Sequence, residues 1–155
     1  MPSKKNPNKN SIDHEKQNQD LKQAEAALRE SEDRFRKIVE QAPIAMAIVG
    51  MDGTIEFINK KAMTVFGYLP EDIPTMDRWW AQAYPNEAYR TEVVVDWMGR
   101  IQNALTEGSE ITGNEYRVTC KNGDIKTIFI SGVPVSGKIL FYLIISPNAS
   151  RRKNR

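Results

Sequence analysis

Residues Asp52–Tyr68 read DGTIEFINKKAMTVFGY. Thr54–Ile58 is rich in β-branched residues and follows a Met51-Asp52-Gly53 turn, so it is predicted to be a strand paired with Ala45–Gly50 in a hairpin. Asn59 interrupts that run. Its side-chain oxygen is suited to accept from the first free amides of a helix over Lys60–Phe66, which makes it an N-cap. Gly67 follows as the left-handed residue that ends the helix, and Ala62, Val65 and Phe66 give it one apolar face.

Upstream, Leu21–Gln41 is built from Ala, Glu, Leu, Lys and Arg, all good helix formers, and Pro43 closes it. Leu21, Leu28, Phe35 and Ala42 recur at heptad spacing, with Ala24, Ser31 and Ile38 between them, as the seam of a short coiled coil. Residues 1–20 offer almost nothing to bury and are expected to be a disordered leader.

Downstream, Pro70–Ile73 and Asp77–Gln82 read as short helical turns. Asn86 caps a helix over Glu87–Glu107, where Tyr89, Val93, Val94, Trp97, Ile101 and Leu105 follow a 3.6-residue period before Gly108. Three strands follow at about 111–120, 125–133 and 138–146, with hairpin signals at Asn122-Gly123 and Ser136-Gly137. Ile139–Ile145 is apolar at both parities and is expected to be covered on both faces. The order implies an α+β fold, an antiparallel sheet with short helices on one face and an N-terminal amphipathic helix. The expected division is a leader at 1–20, a helix at 21–42, a domain at 43–147 and a basic disordered tail at 148–155.

With 22 Lys and Arg against 20 Asp and Glu, the net charge of +2 is too balanced to indicate a nucleic-acid partner. The longest apolar runs, Ile44–Val49 and Ile139–Ile145, fall far short of the ~20 residues of a membrane span, and the amino terminus lacks a signal-peptide core. A single cysteine, Cys120, excludes an internal disulfide and a zinc-binding cysteine cluster, which points to a reducing, cytoplasmic setting. The one histidine, His14, lies in the leader, so histidine-based catalysis has no candidate, and no catalytic or metal-ligating constellation appears.

LRESEDRFRKIVEQAPIAMAIVGMDGTIEFINKKAMTVFGYLPEDI (28–73) and EYRVTCKNGDIKTIFISGVPV (115–135) together resemble Per-Arnt-Sim (PAS) sensory domains of the sensory-box type. The resemblance spans about Leu28–Ser146. It implies a five-stranded antiparallel sheet wrapped by short helices around a small cavity, and a non-enzymatic module of cytoplasmic signal transduction, often within two-component systems. The alternatives are the sensor fragment of a histidine kinase or cyclase and a ligand-free interaction domain. Asn59 matches the family's asparagine at the strand–helix seam. Where many members carry Asp-Ile-Thr after the last strand, this chain has Pro147, Asn148 and Ala149. The resemblance also argues against cysteine-type flavin photochemistry, because Cys120 lies on a late strand, and against a histidine-ligated haem. Met46, Met63, Met76 and Met98 read as core filling, and the cofactor stays unassigned.

Arg78–Arg90, RWWAQAYPNEAYR, concentrates aromatic surface where the family's cavity is roofed. Candidate ligand contacts are Trp79, Trp80, Tyr84 and Tyr89, with Arg90 or Arg117 placed to meet an anion. Trp97, Tyr116, Ser131 and Tyr142 extend the set. The competing reading sends one tryptophan into the core and leaves the other half exposed. Leu21, Leu28, Phe35 and Ile38 are the expected homodimer contacts, with a signalling protein as a further partner and neither nucleic acid nor membrane.

Overall fold

The computed structural model describes residues 7–146, with side chains from residue 10 onward. These residues divide into two units, one ending at Ile38 and the other beginning at Val39. Helix α1 spans Pro7–Gln41. Its start corrects the expectation of a disordered leader to residue 20: Lys, Glu, Gln and Asp carry the helix through that stretch without an apolar face. Leu21, Leu28, Phe35 and Ile38 are all exposed along it.

The second unit contains the sheet. Strands β1 (Ala45–Gly50) and β2 (Ile55–Ile58) form the first hairpin, followed by α2 (Lys60–Phe66), α3 (Met76–Ala83) and α4 (Glu87–Glu107). Strands β3 (Ile111–Thr119), β4 (Ile125–Val135) and β5 (Lys138–Ile145) complete it. The five strands lie in the order β2-β1-β5-β4-β3, every neighbouring pair antiparallel. The last strand in sequence is therefore the central one, which accounts for its unbroken apolar run. Its two faces are unequal. Ile139 and Phe141 are buried, whereas Leu140 and Tyr142 on the opposite face are half-buried and Ile144 beside them is 38% exposed, so equal cover on both faces is not what the fold provides.

Asn59 caps α2 by accepting from Ala62 N at 2.9 Å, and it is wholly buried. The same Oδ1 accepts from Met46 N at 3.0 Å, while Nδ2 donates to Val39 O at 2.8 Å and Ile44 O at 2.9 Å. One side chain thus joins the last turn of α1, the start of β1 and the first turn of α2. Gly67 takes the left-handed conformation at φ 79 and its amide closes α2 onto Met63 O. Just beyond it, Lys121 N donates to Phe66 O at 2.9 Å, tying the β3–β4 turn to the end of α2.

Pro70–Ile73 forms a hydrogen-bonded turn, Asp72 N to Leu69 O, and not a helix. The loop is held by Tyr68, whose hydroxyl donates to Thr119 O at 2.7 Å. Thr75 caps α3, and a bridge between Thr54 and Thr75 fastens α3 beside β2. On α4, Val93, Trp97 and Ala104 are buried while Leu105 and Met98 are exposed. The inward stripe steps from 97 to 104 through half-buried Ile101, which turns Leu105 outward and removes Met98 from the core-filling methionines. No helix among the described residues is long and apolar enough to cross a membrane.

Candidate functional site: an aromatic-roofed cavity

Alternation on the strands brings one side of the sheet to a cavity of about 60 Å³. Its floor is Ala47 and Val49 of β1, Ile130 of β4, and Phe141 and Leu143 of β5. Phe66 at the end of α2, Trp79 and Trp80 of α3, Tyr84, and Trp97 of α4 close over it, with Tyr116 of β3 at one side. The small side chains Ala47 and Ala62 leave the space that the rings do not fill.

The roof is a continuous edge-to-face cluster. Trp79 meets Phe66 at 5.5 Å and Tyr84 at 6.3 Å between ring centroids; Tyr84 meets Tyr116 at 6.5 Å, and Tyr116 meets Trp97 at 6.0 Å. Such pairs add roughly 0.5–1.5 kcal/mol each beyond their burial. The adjacent tryptophans separate as the core-plug reading expects: Trp79 is buried and Trp80 half exposed, and both border the cavity.

Burial, reinforced by the neighbouring Tyr89 and Tyr116, pushes the Tyr84 hydroxyl far above the usual phenol range. Tyr116 is likewise raised, by burial and by donating to Asp96 Oδ2 at 2.5 Å. Asp96 pays for its burial with bonds from Arg100 Nε at 2.9 Å, Tyr116 and Asn114 Nδ2 at 3.3 Å, which together hold its carboxyl below the ordinary range. Arg100 continues to Thr112 O and Gly113 O, at 3.1 and 3.3 Å, fastening α4 to β3 at the irregular start of that strand.

Of the residues expected to contact a ligand, Trp79, Trp80, Tyr84, Trp97 and Tyr116 converge on this cavity. The others do not. Arg90 donates to Tyr84 O at 3.2 Å, and the Arg117 guanidinium lies 4.6 Å over the Tyr89 ring while its amide donates to the Tyr89 hydroxyl. Ser131 is spent on Ile111 O at 2.7 Å. Tyr142 lies between Phe141 and Leu143, which line the cavity, so alternation turns it to the opposite face. No charged side chain borders the cavity among the described residues, and the expected anion contact is absent from its lining. Phe66, Met76, Phe141 and Leu143 were not anticipated. The two-residue period of β5 carries the signal for the last pair, once a partner face is known.

Cys120 is buried outside this lining, with its thiol 3.6 Å from Val65 O and pushed up by burial, which keeps it a protonated, unreactive group. His14 lies on the exposed stretch of α1. Pro147, Asn148, Ala149 and the basic tail lie outside the described residues.

A family model described as PAS domain matches residues 33–98, the stretch from the end of α1 to the middle of α4. Over these residues the chain is similar to PAS domains. Solved PAS structures share its fold. A domain of a sensory box sensor histidine kinase/response regulator from Geobacter sulfurreducens is 20% identical with a TM-score of 0.55, over 76% of this chain and 96% of that one. The LOV protein of Rhodobacter sphaeroides gives 17% and 0.56, over 79% and 74%. The PAS domain of an HTR-like protein from Haloarcula marismortui gives 16% and 0.51, over 81% and 99%. No curated protein matches the chain.

Proposed function

We propose that this chain is a cytoplasmic, non-enzymatic sensor: its cavity takes a small molecule, and a homodimer built on α1 passes the result to a partner signalling protein. The observation that carries the reading is the apolar cavity, placed at the centre of a sensory fold and roofed by the aromatic cluster. The likeness to a sensor histidine kinase domain supports a place in two-component signalling, with the catalytic partner on another chain or segment. The exposed seam at Leu21, Leu28, Phe35 and Ile38 supports assembly through α1. A helix this polar gains little from propensity alone, so the dimer is expected to be modest in affinity.

A second reading, a ligand-free interaction domain, is favoured by the cavity's size. Its 60 Å³ lies well under the roughly 300 Å³ at which drug-sized pockets begin. Native mass spectrometry of the purified protein separates the two: a stoichiometric small adduct, lost on denaturation, supports sensing, and a bare chain supports the second. The protein is expected to be colourless, since the cavity is too small for a macrocycle; a Soret band at one equivalent would contradict this. Light scattering tests assembly. The full chain is expected to dimerise at micromolar concentration and a version starting at Glu40 to be monomeric; equal dimerisation of both would remove α1 from the interface.

A further inference from the structure

Resting on the reading of α1 as the dimer helix, we infer that two copies pair along α1 in antiparallel orientation, each Arg34 facing the partner's Asp20. The stripe at Leu21, Leu28, Phe35 and Ile38 is between 42% and 64% exposed, so no described part of one copy covers it. Counting in heptads from Leu21, Leu28 and Phe35 puts Ala24, Ser31 and Ile38 at the second seam position of each repeat. Because α1 is continuous from Pro7, the same count runs back through Gln17 and His14. The seam is thus apolar toward the end of the helix and polar toward its start.

The charges beside the seam choose the orientation. One flank carries Asp20, Ala27 and Arg34, and the other carries Glu25 and Glu32. In a parallel pair opposite flanks meet. Asp20 then faces the partner's Glu25 on both sides of the pair, like against like, and Arg34 faces only the partner's Val39. In an antiparallel pair like flanks meet. With Leu28 set against the partner's Ala24, and Leu21 against the partner's Ser31, each Arg34 meets the partner's Asp20. The one unfavourable contact is Glu25 against the partner's Glu25 at the two-fold axis. Sliding by a heptad to set Leu21 against the partner's Ile38 puts both Glu25 side chains against the partner's Glu32 and leaves Arg34 facing the partner's Ala27. The favoured register also sets large seam residues against small ones, where a parallel pair stacks Phe35 on the partner's Phe35 and Ala24 on the partner's Ala24. It lays Phe35 and Ile38 over the partner's Gln17 and His14, so the polar start of each helix covers the apolar end of the other. Within its own helix Arg34 bonds Glu30 at 3.1 Å, but those side chains are 70% and 73% exposed, and such a pair is readily exchanged.

The test uses the full chain, with the dimer constant measured by sedimentation over a concentration series. Asp20→Lys is expected to weaken the dimer about three- to ten-fold, because two attractive contacts with Arg34 become repulsive. Asp20→Lys combined with Arg34→Glu should restore it. In a parallel pair Asp20→Lys would instead tighten the dimer, by turning the contact with the partner's Glu25 attractive. Nitroxides attached through Lys16→Cys give a second measure that needs no charge change. Antiparallel pairing separates them by roughly 30 Å along the axis, at about 1.5 Å per residue, whereas parallel pairing sets them side by side. A dimer that tightens or is unmoved on Asp20→Lys, or whose labels lie side by side, would overturn the orientation and leave the α1 dimer standing. A full chain that stays monomeric at high micromolar concentration would overturn both.

Discussion

Asn59 and Asn86 carry the same local signal, an asparagine just before a helix, and both caps form. Asn86 Oδ1 accepts from Tyr89 N at 2.9 Å on an exposed turn. Its amide nitrogen faces no described acceptor. Asn59 uses both ends of its amide, makes four hydrogen bonds and is wholly buried. Capping is what the sequence predicts at either position; joining three chain segments is what burial adds at one of them. Trp79 and Trp80 repeat the contrast between neighbours, one an anchor of the aromatic cluster and the other its half-exposed edge.

The widest separation is expected in the tryptophans. Trp79→Ala should lower unfolding stability by about 3–5 kcal/mol, as loss of a buried aromatic does, and Trp80→Ala by far less. Urea titrations of both variants measure this, and equal losses would mean that the two rings share the core.

Next comes Asn59→Ala, expected to cost about 3 kcal/mol, because it takes the side-chain partner from Met46 N and Ile44 O and leaves Val39 O only its bond from Ala42 N, in addition to undoing the cap. That exceeds the ~1 kcal/mol of a cap alone. Asn59→Asp sharpens the point. Aspartate caps as well as asparagine does, but here it would lose both Nδ2 bonds and set a carboxylate against two carbonyl oxygens. A melting temperature for Asn59→Asp equal to wild type would reduce Asn59 to a simple cap.

The smallest effects belong to the exposed counterpart. Asn86→Ala should cost about 1 kcal/mol and Asn86→Asp almost nothing, since a negative cap also suits the start of a helix. Circular dichroism melts of the four asparagine variants make one set; a large loss in Asn86→Asp would show that this site holds more than its own helix.

What was legible in the sequence was local. The residue-by-residue ranges of β1, α2 and α4 follow from apolar period, asparagine caps and stop glycines, because a few neighbouring residues suffice to satisfy a helix end or a two-residue turn. The early start of α1 was missed because a polar stretch with helix-forming residues and no apolar face looks the same as a solvated coil. Half of the expected contact residues reached the cavity, and Tyr89, Arg90, Arg117, Ser131 and Tyr142 did not, since each side chain's direction depends on partners distant in the chain. Tertiary structure alone decided three things: that β5 is the central strand, which of two adjacent tryptophans is anchored, and that a cavity of 60 Å³ lies beneath the aromatic cluster. Each is set by the fit of segments that sequence leaves far apart. Hydrogen bonding and close packing select among such fits only after burial has brought the segments together.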